Sequence, residues 1–177
     1  SSFGCICEKV FLRNKKILVI KAQKLINKVQ YTSIYLEGKS LKNYNDKFDN
    51  LFPKIHYLEK DFFIMDWVEN NNKIDENTEK DFATKLAKIH SFKGKMFGFD
   101  FNTPIGGIEQ DCKYEKSWIN FYKIKRLQMI YELINSKNPM PSDINNGIEK
   151  IINNIEKYIP ESTNPSLVHG DLWGGNI

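Results

Sequence analysis

The sequence predicts an α+β protein: a small N-terminal β-rich lobe with one main helix, followed by a mostly helical C-terminal lobe. Three observations predict it. Cys5 to Leu12 and Ile17 to Lys21 are apolar, partly β-branched runs on either side of the polar Arg13-Asn14-Lys15-Lys16, the pattern of a β-hairpin. From Asp75 onward the apolar residues recur at helical spacing instead, with Phe82, Leu86, Ile89 and His90 forming one stripe. Between the two regimes stands Asn70-Asn71-Asn72, a breaker that sets the lobes at 1–70 and 71–177.

Composition narrows the function classes. A hydrophobic fraction of 41% and a charged fraction of 27% are ordinary for a soluble globular protein. No apolar run approaches the ~18 residues of a membrane span, and no signal-peptide pattern opens the chain, so no membrane partner is expected. Of 26 basic residues only Arg13 and Arg126 are arginines, and the lysines are dispersed among Asn, Ile and Glu. A nucleic-acid reader clusters its basic residues and favours Arg for bidentate contacts, so no nucleic-acid partner is expected. Three cysteines in 177 residues give no disulfide framework, which points to a reducing, cytoplasmic setting. The chain begins with Ser and ends inside a motif, and is expected to be a fragment of a longer protein.

In the first lobe the hairpin ends in Val19-Ile20-Lys21, similar to the kinase strand V-A-I-K whose lysine contacts nucleotide phosphates. Gly4 would then belong to the loop over the phosphates, where glycine lets backbone N–H groups approach phosphate oxygens. Cys5 and Cys7 share a strand face there. Two small buried thiols are the plain expectation, and a redox-sensitive pair the sharper one. Residues 27 to about 44 read as a helix, on which Glu37 lies sixteen residues after Lys21 and would hold it. Pro53 starts a strand, in which His56 has no assigned role. Phe62 to Met65 is a buried strand running into Asp66-Trp67-Val68, which has the form of a kinase hinge whose backbone hydrogen-bonds adenine.

In the second lobe a helix ends at His90, which reads as a packing residue. Residues 93 to 113 read as a long ordered loop rich in glycine and aromatics. Tyr114 to Asn135 is a long helix. Ser142 is the expected N-cap of the next one, whose stripe is Ile144, Ile148, Ile151, Ile152 and Ile155 and which Pro160 stops.

The last nine residues carry the chemistry. In His169-Gly170-Asp171-Leu172-Trp173-Gly174-Gly175-Asn176, an Asp, four residues and an Asn have the spacing of the protein-kinase catalytic loop. The stretch is similar to H-G-D-L-W-S/G-G-N of the fructosamine kinase (ketosamine-3-kinase) family, which has a protein-kinase-like fold related to the aminoglycoside phosphotransferases. Phe97-Gly98-Phe99-Asp100-Phe101-Asn102-Thr103-Pro104-Ile105-Gly106-Gly107, with Gln110, resembles the family's F-G-F-x-x-x-N-x-I-G-G segment and the Gln after it, Asn102 standing one position before the family's Asn. Trp118, Phe121, Tyr122, Arg126 and Leu127 resemble its W-x-x-F-F and R-L. Gly4-Cys5-Ile6 is similar to its G-C-I-S, with Cys7 standing where Ser is frequent, and Asp111-Cys112 departs from the usual polar pair.

The resemblance implies ATP-dependent phosphorylation of a sugar hydroxyl on a ketoamine, a protein-deglycation repair reaction in which the phosphorylated adduct breaks down and frees the amine. Asp171 would be the catalytic base, Asn176 a Mg²⁺ ligand, and Lys21 with Glu37 the phosphate clamp. Gly4 and the backbone of Asp66, Trp67 and Val68 would bind the nucleotide. The second, carboxylate ligand for Mg²⁺ is expected beyond Ile177, so the 177-residue chain alone is expected to be inactive. Two other readings stand beside this one: a related small-molecule kinase of the aminoglycoside or choline type, and a non-catalytic nucleotide-binding module on the same fold.

Overall fold

The structure, a computed structural model, describes residues 4–24, 34–71, 73–162 and 164–172. It forms two compact units. The first comprises the described parts of Ser1–Ile89, Thr103–Glu109 and His169–Ile177; the second comprises His90–Asn102 and the described parts of Gln110–Val168.

The first unit is built on a four-stranded antiparallel sheet. Strand β1 (Cys5–Phe11) and strand β2 (Ile17–Gln23) form the expected hairpin. Strand β3 (Ile55–Leu58) and strand β4 (Phe62–Asp66) form a second, and the spatial order is β1-β2-β4-β3. Helix α1 (Ile34–Lys47) covers one face, running three residues past the expected end. The core there is Cys5, Ile34 and Phe63, with Leu41, Ile55, Leu58 and Met65 packed around it. Cys7 is exposed, so of the two strand thiols only Cys5 is the buried one expected; neither is in a disulfide.

Helix α2 (Glu76–His90) follows, and Asp75 caps its start: its carboxylate accepts from the Thr78 N–H at 2.9 Å. Phe82, Leu86, Ile89 and His90 are its only residues that are not exposed, as the stripe requires. The stretch read as a loop contains a hairpin of its own, β5 (Thr103–Ile105) and β6 (Ile108–Gln110), and β5 lies against α1. Gly106 turns it at φ +54, a conformation glycine adopts without strain.

In the second unit the long helix begins later than the sequence suggested. Phe97 and Glu115 exchange two backbone hydrogen bonds, at 2.8 and 2.7 Å, which keeps the residues around 114 extended. Ser117 then caps α3 (Trp118–Tyr122), accepting from the Asn120 N–H at 3.1 Å. A π-helical segment, Lys123–Gln128, joins α3 to α4 (Met129–Lys137). The N-cap of helix α5 (Ser142–Asn153) is Pro141 and not Ser142, and no side-chain cap bond is made there. Pro fixes its own φ at the turn into the helix, and the cap stands one residue upstream of the expected one. The helix ends at Asn153, with a 3-10 turn, Ile155–Lys157, before Pro160. Ile152 and Ile155 are buried, whereas Ile144 and Ile151 are 48% and 43% exposed, so only part of the expected stripe is core. Among the described residues no helix is long and apolar enough to cross a membrane.

Candidate nucleotide and catalytic site

Lys21 lies on β2, between Cys7 of β1 and Phe63 of β4 in the register. Directly opposed residues share a sheet face, so Lys21 points to the same side as Phe63, toward α1. There its ammonium donates to Glu37 Oε1 at 2.5 Å, with the lysine side chain 12% exposed and the carboxylate 34% exposed. Glu37 stands in the first turn of α1, where the helix dipole favours an acid. Gly38 follows it and is buried against β3 and β4: a β-carbon there would stand 2.5 Å from Leu58 Cδ1 and 3.0 Å from Phe63 Cδ1. The missing side chain lets the helix approach closely enough for Glu37 to reach Lys21.

Gly4 opens the hairpin at φ +72, and its carbonyl accepts from the Lys24 N–H at 2.9 Å. At the other end of the sheet, Asp66 closes β4, and Trp67 and Val68 lead out of it, 37% and 59% exposed. Lys9 reaches across β2 to place its ammonium 3.9 Å from the Trp67 ring centroid, and Trp67 Nε1 donates to Glu69 at 2.7 Å. His56, which the sequence left without a role, sits 2.6 Å from Asp66 Oδ1, and Lys16 lies 3.3 Å from the same oxygen. Partial burial would raise the Asp66 carboxyl, but the hydrogen bonds from His56 and Lys16 carry it below the ordinary carboxylate range.

Gly170 precedes Asp171 at φ +82. That is the left-handed region, which explains a glycine between the His and the Asp. The Asp171 N–H donates to His169 Nδ1 at 3.4 Å, and Asp171 is exposed. This segment belongs to the same compact unit as Gly4, Lys21, Glu37 and Asp66 to Val68. Asn176 and Trp173 lie outside the described residues. Among the described residues, no group of three or more His, Cys, Asp or Glu side chains could hold a metal ion.

Most of the motif residues between 97 and 126 serve structure. Gly98 has φ +133, and a β-carbon there would meet the Cys112 carbonyl oxygen at 2.6 Å. The Asn102 side chain accepts from the Cys112 N–H at 3.1 Å. Asp111 binds the Lys125 ammonium at 2.8 Å, which lets that lysine sit 8% exposed in the π-helical segment. Arg126 donates to the Asp111 carbonyl at 2.9 Å and stacks over Phe121.

Comparison with known proteins shows the family and the fold. The sequence model of the family described as Fructosamine kinase matches residues 19–177. A protein of Vibrio parahaemolyticus named a probable ketoamine kinase is 30% identical over 117 residues, which is 66% of this chain and 40% of that protein. A Thermobifida fusca crystal structure named as a fructosamine-3-kinase superposes with a TM-score of 0.83 at 21% identity, covering 99% of this chain and 61% of that one. Another, from Haemophilus somnus, gives 0.70 at 20% identity, covering 99% and 62%. The chain shares the kinase-like α+β fold of both, and it spans well under half of the curated relative.

Proposed function

The chain belongs to the fructosamine kinase family, and from that premise we propose that the protein carrying it transfers the γ-phosphoryl group of ATP to a sugar hydroxyl of a ketoamine. The observation that carries the chemistry is the Lys21–Glu37 ion pair, its lysine on the strand beside the one that leads into Asp66-Trp67-Val68. Phosphoryl transfer needs positioning and charge neutralisation more than covalent help, and a lysine with a fixed ammonium supplies both at the α- and β-phosphates. In this reading the hinge backbone at Asp66 to Val68 receives adenine, and Gly4 leaves room for the phosphates.

Asp171 orients the acceptor hydroxyl and takes its proton as the oxygen attacks in line. The products are ADP and the ketoamine phosphate, which decomposes to release the amine. A Mg²⁺ ion held at the site would supply charge neutralisation at the phosphates. Asn176 would offer it a carbonyl oxygen, together with a carboxylate. Cysteines outside any disulfide fit work in the reducing cytoplasm, the proposed location.

The test is phosphate transfer from ATP to a fructosamine or ribulosamine, run against choline and an aminoglycoside. Transfer to the ketoamines is expected. Transfer to the other alcohols alone would assign a related small-molecule kinase, and nucleotide binding with no transfer to any acceptor would assign a binding module.

A further inference from the structure

Strand β3 is irregular at one point. Ile55 pairs with Met65 and Tyr57 with Ile64, so two steps along β3 match one along β4, and His56 is the inserted residue of a β-bulge. A bulge re-aims the side chain it carries. Here His56 reaches Asp66, the last residue of β4, with Nε2 2.6 Å from Oδ1. A ring nitrogen this close to a carboxylate oxygen carries the hydrogen and donates it. Lys16 Nζ lies 3.3 Å from that same nitrogen. Two donors do not bond each other, so the partner of Lys16 is also Asp66 Oδ1, at 3.3 Å. The Asp66 backbone is fixed too, its N–H donating to the Lys54 carbonyl at 3.0 Å. The next residue, Trp67, is held separately by Lys9 and Glu69.

We propose that His56 is a positioning residue for nucleotide binding: from the bulge it anchors the Asp66 carboxylate and so fixes the backbone of Asp66 to Val68 for docking adenine. The proposal rests on reading those three residues as the hinge. A single exposed ion pair contributes little, but a donor at 2.6 Å, a lysine ammonium and a backbone bond on one residue restrict its torsions together. Pre-setting the hinge backbone lowers the ordering cost of binding and leaves the reacting groups untouched.

The experiment measures ATP affinity by calorimetric titration, and KM and kcat for ATP and ketoamine, in the protein that carries this sequence. His56→Ala is expected to weaken ATP binding and raise its KM roughly three- to tenfold, with kcat and the ketoamine KM unchanged. His56→Gln, which keeps a donor, is expected to restore most of the loss. Val68→Pro, which deletes a hinge N–H, tests the hinge reading separately and is expected to weaken ATP binding strongly. If Val68→Pro leaves the affinity unchanged, the hinge reading fails and the proposal with it. If Val68→Pro weakens binding and His56→Ala does not, only the role of His56 is overturned. A His56→Ala variant that loses kcat and ketoamine KM alike, or melts at a much lower temperature, would mark the residue as structural and also overturn it.

Discussion

Gly38 and Leu58 stand so close that the space for a β-carbon on the glycine is already filled by a Leu58 methyl, 2.5 Å away. Phe63, fully buried, lies just behind it at 3.0 Å. Alanine would gain helix propensity and displace only the flexible end of Leu58, two effects of opposite sign. Valine adds two methyls that Phe63 cannot yield to. Gly38→Val is expected to destabilise the protein by about 1–3 kcal/mol, read by chemical denaturation. It should also weaken ATP binding, because α1 is pushed off the sheet and carries Glu37 away from Lys21.

Lys21 and Glu37 form one device, and their substitutions should show it. Lys21→Met is expected to lower phosphate transfer by roughly 10²-fold or more, the size of effect seen when a preorganised cation or donor at a transferring group is lost. Glu37→Gln should do less, because the ammonium remains and only its placement relaxes. The double variant should be no worse than Lys21→Met alone; steady-state kinetics on the three proteins decide. Additive losses would show that the two side chains act independently.

Asp171→Ala is expected to slow turnover at least about a hundredfold while ATP affinity is retained. Rates near those of the unsubstituted protein would remove Asp171 as the base. Binding and turnover must be measured separately, since a misfolded loop would lower both.

Acid should loosen the second unit. The Asp111 carboxyl is held below the ordinary carboxylate range first by the hydrogen bond from Lys125, then by the Lys113 N–H, against the opposing effect of partial burial. Its contribution is therefore complete above the unfolded pKa of about 3.9 and is lost as pH falls through the lower folded value. Asp111→Asn leaves the Lys125 ammonium buried without its carboxylate. That variant should be less stable at neutral pH, and the gap should close as pH falls through the lowered folded value. Urea unfolding at stepped pH reads it; a gap independent of pH would sink the assignment.

Local pattern and spacing carried much of this fold. The Ile17 to Lys21 run read as a strand because β-branched residues are concentrated there, and the α2 stripe read as a helix because its period is strict. The pairing of Lys21 with Glu37 was legible from their separation and the elements around them. What escaped depends on partners distant in sequence. Tyr114 looks helical by composition, but the Phe97–Glu115 bridge holds that stretch extended. The π-helical segment is built around the Asp111–Lys125 pair, fourteen residues apart, which no helical period announces. His56 was invisible for the same reason: an alternation pattern does not show where a bulge will fall.

Gly170 leaves a distinct opening beside Asp171. Its φ is +82, yet a β-carbon there would meet nothing within 4 Å among the described residues. The position discriminates by torsion and not by volume. A β-carbon on a residue that suits the left-handed region is admissible there, as in a D-amino acid or an Asn. A spectroscopic reporter introduced through a D-residue at this position by chemical ligation would thus sit one residue from the proposed base, its β-carbon clear of the described atoms. A glycine that first reads as a gap in a motif is also a place to attach an observer of the reaction.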